Sequence, residues 1–510
     1  MATVTALPSR SRTERRDLAI SMGRVREELA KLLSKPDADS VHDLRVAIRR
    51  CRSIAAVMEE IDPDPAWPRM RKIARKLFRQ LGAYRDAQVI DDWAQKLSPA
   101  TDSLRIHLHG AFDSEEPGLR DAVLRVAAKF NEKEWKRLQR HLTARMRFVP
   151  VGGLAAECLA FERFEEIKEL HAGAMRSAKP KPWHALRIGL KRFRYTVEDL
   201  LPEHAAAWSD NLKRLQDLLG DIHDLDVLAA TIKAAQPAGT AASRQAWKEK
   251  IKRERTQRVL TCRQLTLGKT SVLNQWRHAL PHGERLEAAA WARVQATARA
   301  SDRNPRRTAL VARIALRVFD LLRRVKAAPD FSEAKNRRLL AAAAHLHASS
   351  VDRNGKSPHK AARKFLLSLP VPPSWTHEDW ELLAWIVRFH RGAEPKPEGS
   401  TFSRLNEAPQ LHIRVLSGVL RFARALRKAG VPGVSGFRIE DSAEALVLHI
   451  PGLSDTVETA ANLAAGKHLL ESALRKPLLL KAAPAASSVV TLPAPEPEPM
   501  LLRASAASAD

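Results

Sequence analysis

The 510-residue chain has only three cysteines, Cys51, Cys158 and Cys262. Their odd number and wide spacing exclude a disulfide framework or a cysteine-bound zinc and fit a reducing compartment. Aromatic residues make up 5%, with two tyrosines, so platforms for stacking nucleobases are scarce. No apolar run approaches the roughly 18 residues that span a bilayer. Residues 1–16 are polar and Arg-rich, without the apolar stretch of a secretory signal. Acidic residues are short as well: 58 Asp and Glu face 86 Lys and Arg, for a net charge of +28. These features lead to the expectation of a soluble, cytoplasmic protein with no membrane partner and with an anionic one.

The basic surplus is spread along the chain. Residues 1–300 hold 55 basic and 38 acidic side chains, and residues 301–510 hold 31 and 20. Ala, Leu, Arg, Lys and Glu dominate, which is helix composition. Periodicity predicts helices over residues 18–33, 41–61, 69–92, 119–147, 183–201 and 212–230. Breaks are expected at 63–68, 150–153, 180–182 and 236–239, and the first body is expected to end near 281–284. A second helical region runs from about 306 to 430, with breaks at 349–358, 370–376 and 392–400. Residues 436–440 and 445–450 alternate as a strand pair, and a helix over 455–474 follows. Residues 482–510 are rich in Ala, Pro and Ser and read as a disordered tail.

One pattern occurs twice, 142 residues apart. Residues 41–52 read Val-His-Asp-Leu-Arg-Val-Ala-Ile-Arg-Arg-Cys-Arg, and residues 183–194 read Trp-His-Ala-Leu-Arg-Ile-Gly-Leu-Lys-Arg-Phe-Arg. A second matched pair follows: Gly82 and Asp86 in the first copy correspond to Gly220 and Asp224 in the second. At about 100° per residue, His42, Arg45, Arg49 and Arg52 fall on one helical face, with Arg50 off to the side. His184, Arg187, Lys191 and Arg194 do the same, with Arg192 displaced. The next helix adds Lys72, Arg75, Lys76 and Arg79, and in the second copy Lys213 and Arg214. Stacked like charges cost a few tenths of a kcal/mol per pair. A single such stripe is most often a solvated face; two matched copies call for an anion or for buried counter-ions, a role that suits Asp86 and Asp224.

These repeated motifs resemble the CHAD domain, the conserved histidine α-helical domain, over roughly residues 14–283, with repeats at about 14–150 and 160–283. The resemblance implies a mainly α fold of two pseudo-symmetric helical bundles around a basic central groove that binds inorganic polyphosphate. It aligns Arg85 with His223, whose contribution is then expected to depend on pH.

Residues 305–480 resemble, more faintly, the C-terminal HD-like region of exopolyphosphatase/guanosine-pentaphosphatase proteins. The resemblance rests on residues 340–347, 358–363 and above all the Phe-His-Arg-Gly-Ala run at 389–393. It implies a helical domain with a small β-hairpin and makes His359, Lys360, Arg363, Arg388, His390 and Arg391 secondary phosphate contacts. The metal-binding residues of an active HD hydrolase are missing: Ala348 follows His347, and Arg424 stands at the late Asp position. No metal, no cofactor and no catalytic residue is therefore expected. Glu132-Lys-Glu-Trp-Lys136 matches a triphosphatase signature that needs a strand, yet it lies in a helical stretch. Residues 268–270 lack the first glycine of a P-loop. The expected function is non-catalytic polyphosphate binding in the cytoplasm, with polyphosphate granules as an expected location; the alternatives are a phosphohydrolase and a non-specific nucleic-acid binder.

Overall fold

The computed structural model describes residues 18–234, 240–327, 334–349, 357–396, 401–453 and 456–483. The fold is mainly α: seventeen α-helices and one three-stranded sheet among the described residues. The expected disordered tail lies outside them from residue 484 onward, and so does the expected break at 236–239.

The first body holds α1 (Leu18–Ser34), α2 (Ala38–Met58), α3 (Ala66–Leu97), α4 (Ser103–Ala127) and α5 (Glu132–Arg145). It continues with α6 (Leu154–Met175), α7 (Pro180–Leu200), α8 (Pro202–Ala234), α9 (Ala241–Thr266) and α10 (Val272–Ala279). Asp37 starts α2 with a capping box: its carboxylate accepts from Ser40 N at 2.8 Å and Ser40 Oγ accepts from Asp37 N at 3.1 Å. Such a cap contributes about 1 kcal/mol. Pro180 opens α7 at the one helical turn where a missing N–H costs nothing. Both helices bury the face opposite their cations. Leu44, Ile48 and Cys51 from α2 join Trp183, Leu186, Leu190 and Phe193 from α7 in one apolar core. The repeats meet symmetrically, α2 against α7 and α3 against α8.

The expected single helix over 119–147 is two helices. α4 ends at Ala127, and Asn131 caps α5 by accepting from Glu134 N at 2.9 Å. Phe130 packs on Trp135 with centroids 5.4 Å apart, which fixes the turn. The Glu132–Lys136 run therefore forms the first turn of a helix, with Trp135 buried.

The second body holds α12 (Pro305–Arg324), α13 (Ala334–Leu346), α14 (Pro358–Ser368), α15 (His377–Phe389), α16 (Glu407–Lys428) and α17 (Val457–Leu474). Its sheet contains β1 (Arg438–Asp441), β2 (Leu446–Pro451) and β3 (Leu478–Ala483). The expected hairpin forms, with Ile439 opposite Leu448. A third strand, absent from the sequence reading, pairs parallel to β2 with Leu448 opposite Leu480. Its Leu-Leu-Leu-Lys-Ala-Ala sequence has weak strand propensity; pairing with β2 decides its conformation.

Between the bodies lies α11 (Gly283–Ser301), which serves both cores. Ala296 packs into the first, while Ala289, Ala290 and Val294 pack into the second. Arg293, 2% exposed, donates to Glu162 Oε1 at 2.7 Å and to Pro370 O at 3.3 Å, tying α6 to the loop after α14. The apolar continuity therefore passes through the expected boundary at 281–284.

Candidate functional site

The pairing of α2 with α7 brings the two cationic stripes face to face. Arg45 and Arg49 come from α2, and Arg187 and Lys191 from α7. Their charges are close enough to act on one another. Burial pushes the Lys191 ammonium down to about 7, and Arg187, Arg49 and Arg45 push the same way against Asp224. Arg45 is lowered first by burial, then by Arg49, with Asp86 opposing. Arg187 is lowered first by burial, with Asp224 opposing and Arg49 reinforcing. Burial raises Asp224, which Arg187 partly offsets.

Asp86 and Asp224 act as counter-ions to this cluster but offset it only in part, two carboxylates against four cations. Arg45 Nη2 stands 3.8 Å from Asp86 Oδ1, and the Arg45 side chain is only 21% exposed. The Nε atoms of Arg45 and Arg187, equivalent positions in the repeats, are both buried and without a hydrogen-bond partner among the described residues. Buried guanidinium nitrogens normally find acceptors, and these two, like Arg26 Nε and Arg293 Nε, are left without one among the described residues.

The residues flanking the four cations differ between copies. In the second, His184 Nδ1 lies 3.1 Å from His223 Nδ1, with ring centroids 4.4 Å apart. Burial, followed by Arg187, His184 and Lys191, pulls His223 down to about 4. In the first copy His42 is exposed, and Arg85 reaches Gln88 at 3.3 Å and Asp92 at 3.6 Å. Of the two, Lys191 is drawn closer to neutrality and His223 away from it.

The other sequence candidates are placed variously. Arg50 donates to the buried Asp199 of α7 at 3.1 Å. Its counterpart Arg192 pairs with Glu166 of α6 at 2.7 Å. Arg194 pairs with Glu198 at 2.7 Å. Arg52 lies over the Phe78 ring at 4.8 Å and donates to Arg71 O at 3.3 Å. Lys72, Arg75, Lys76 and Arg79 on α3, and Lys213 and Arg214 on α8, are exposed. Past Arg52, a cavity of about 720 Å³ is lined by Arg49, Arg52, Arg71, Arg163 and Arg192 and also by Glu59, Glu60, Asp62 and Asp64, with Arg71 paired to Glu59 and Arg163 to Glu60 and with Phe365 and Pro370 of the second body on its wall. The sequence reading missed Arg71 and Arg163. Arg71 continues the α3 stripe by one turn, a readable signal; Arg163 on α6 has no such periodicity.

In the second body, the imidazole of His359 packs beside Gly392, and burial followed by Arg388 and Arg391 draws it down to about 4. Arg388 lies over Phe389, while Lys360 and Arg391 are exposed. Arg363 stacks on Trp385 at 3.9 Å. His390 does not face solvent: its side chain turns inward, Nδ1 sits 2.6 Å from Val387 O, and its ring meets His347 edge-on at 5.1 Å. Burial holds His390 well below the usual imidazole range and His347 at about 4. Among the described residues, no group of three or more His, Cys, Asp or Glu is arranged to hold a metal ion. No described helix is long and apolar enough to cross a membrane.

Residues 17–233, the segment that builds both repeats, match the family model of the CHAD domain. That segment is a CHAD domain. The apolar core of the domain extends beyond the matched residues, since Cys262, Val272, Leu273 and Trp276 pack into it. Among solved structures, the chain is similar to the CHAD domain from the plant Ricinus communis. The likeness is 20% in sequence identity, covers 55% of this chain and 96% of that one, and has a TM-score of 0.37. No curated protein matches the chain.

Proposed function

We propose that the protein binds inorganic polyphosphate along the α2–α7 groove of its CHAD domain, without turning it over. The observation that carries this reading is the meeting of Arg45, Arg49, Arg187 and Lys191, two cations from each repeat, with buried nitrogens lacking acceptors. Polyphosphate carries about one negative charge per phosphate, so a row of fixed cations offers repeated charge-assisted hydrogen bonds and releases counter-ions. The resemblance of the repeated histidine helices to a polyphosphate-binding family supports the same ligand. Recruitment to polyphosphate granules in the cytoplasm follows from it.

We read residues 305–480 as a degenerate HD-like region related to exopolyphosphatase C-terminal domains. In support, Arg424 Nη1 donates to His390 O at 3.1 Å, beside His347, so a cation occupies the neighbourhood where an active site of that type would keep its metal.

The test is a titration of the full chain with polyphosphate of defined length against DNA of matched charge, at about 50 and 500 mM salt. Polyphosphate affinity is expected to fall by orders of magnitude across that range and to exceed DNA affinity at both salts. A flat salt response, or DNA preferred over polyphosphate, would refute the reading.

A further inference from the structure

The second body holds a separate basic cavity that the groove does not use. It measures about 250 Å³ and lies where α16 and α17 meet the end of α15. Five cationic side chains line it, and no carboxylate does: Arg391 follows α15, while Arg421, Arg424, Arg427 and Lys428 come from α16. The four on α16 sit at helical spacings of three and four, so they share a face and repel one another.

Most of these cations are anchored by neutral groups. Arg421 donates to Phe389 O at 2.6 Å and Gly392 O at 2.8 Å. Its Nη1 lies 3.8 Å from Glu394, a carboxylate it shares with His468. Lys428 donates to Asn462 Oδ1 at 2.8 Å. Arg424 donates to His390 O. Among the described residues, Arg391, Arg424 and Arg427 have no carboxylate within ion-pair distance. Burial, then Arg391, Arg427 and Arg421, brings Arg424 down to about 10, so the cluster is under electrostatic stress without a ligand.

The floor of the cavity is small and close-packed. A Cβ added at Gly466 would fall 2.4 Å from Ala425 Cβ, so glycine alone lets α17 lie this near α16. A shallow floor with a cationic rim suits a compact, multiply charged anion. No Phe, Tyr or Trp lines it, and the one ring there, His390, is buried against Val387 O and His347, so no open aromatic face is left for a nucleobase.

We infer that the cavity between α15, α16 and α17 is a second anion site that takes a short inorganic phosphoanhydride, of pyrophosphate to tripolyphosphate size. Arg424 and Arg427 supply the principal contacts, Arg391 and Lys428 close the rim, and Arg421 holds the turn after α15 in place. The site stands on its own geometry and does not depend on polyphosphate occupying the CHAD groove.

The experiment uses the full chain carrying Arg45→Glu and Arg187→Glu, so that the groove cannot account for the signal. Calorimetric titration with tripolyphosphate is expected to give one site per chain. Adding Arg424→Met or Arg427→Glu should each weaken it by about tenfold or more, the ordinary worth of a charge-assisted hydrogen bond. The Arg427 side chain makes no hydrogen bond or ion pair among the described residues, so its variant tests the site even if Arg424→Met perturbs the fold. ATP should bind no more tightly than tripolyphosphate, and sulfate should compete poorly. The inference is overturned if the groove-disabled chain does not bind tripolyphosphate, if both added variants leave binding unchanged, if ATP binds more tightly, or if sulfate competes on equal terms. Failure of the groove reading would appear instead as undiminished long-chain binding in the Arg45→Glu, Arg187→Glu chain.

Discussion

His184 and His223 face each other with their Nδ1 atoms 3.1 Å apart, so at most one ring carries a proton between them. His223 is held at about 4, below its ordinary 6.5. The unfolded chain therefore binds more protons than the folded one between these two values, and stability falls as pH drops through that window. His223→Gln should flatten the pH dependence of stability between 6.5 and 4. The expected difference is of order 1–2 kcal/mol after discounting for solvent screening. Urea unfolding at several pH values measures it, and parallel curves for the two proteins would count against the assignment.

Lys191 makes ligand binding depend on pH in the opposite sense. Its free-state value of about 7 means that the ammonium is half lost at neutrality. A bound polyanion stabilises the charged form, so binding takes up a proton and weakens as pH rises above 7, by at most tenfold per unit. Polyphosphate affinity should drop severalfold between pH 7 and 8.5. Lys191→Arg, charged throughout, should remove most of that drop; an equal drop in the variant points to titration elsewhere.

Arg50 belongs to the fold rather than to the groove. Its bond to buried Asp199 ties α2 to α7. Arg50→Ala should lower folding stability by about 1–3 kcal/mol. Polyphosphate affinity, measured where the protein remains folded, should change less than threefold. A large affinity loss without a stability loss would return Arg50 to the groove.

The two repeats should grip one polymer. Arg45→Glu and Arg187→Glu should each weaken long-chain polyphosphate binding by tenfold or more, since reversal adds repulsion to the lost contact. Long chains should suffer more than short ones, because only they can engage both copies at once. A silent variant at either position breaks the symmetry argument.

Phosphate release measures the absence of turnover. Purified protein with Mg²⁺ or Mn²⁺ should free no phosphate from polyphosphate above background. Release that disappears in His347→Ala or His390→Ala would move the protein into the hydrolase class.

Much of this was legible in the sequence. The spacing of His42, Arg45, Arg49 and Arg52, repeated at His184, Arg187, Lys191 and Arg194, sufficed to put each set on one helical face, because helical periodicity is a local property. The β1–β2 alternation is local in the same way; the Asp37 cap and the helix start at Pro180, inside the expected break at 180–182, went unread. The break at 128–131 was missed, since Asn131 and the Phe130–Trp135 contact act against a strong helical composition on both sides.

Tertiary structure decided the rest. Which cations meet depends on α2 packing against α7, and that packing sends Arg50 to Asp199 while leaving Arg45 and Arg187 with unsatisfied nitrogens. The strand at Leu478–Ala483 exists because β2 offers it a ladder. Burial lowers Lys191 to about 7 and turns His390 inward, neither of which spacing along a helix can express. The sequence determined which residue types share a face; desolvation and neighbouring charge, set only when distant segments meet, determined which of them are buried together and shifted in their protonation.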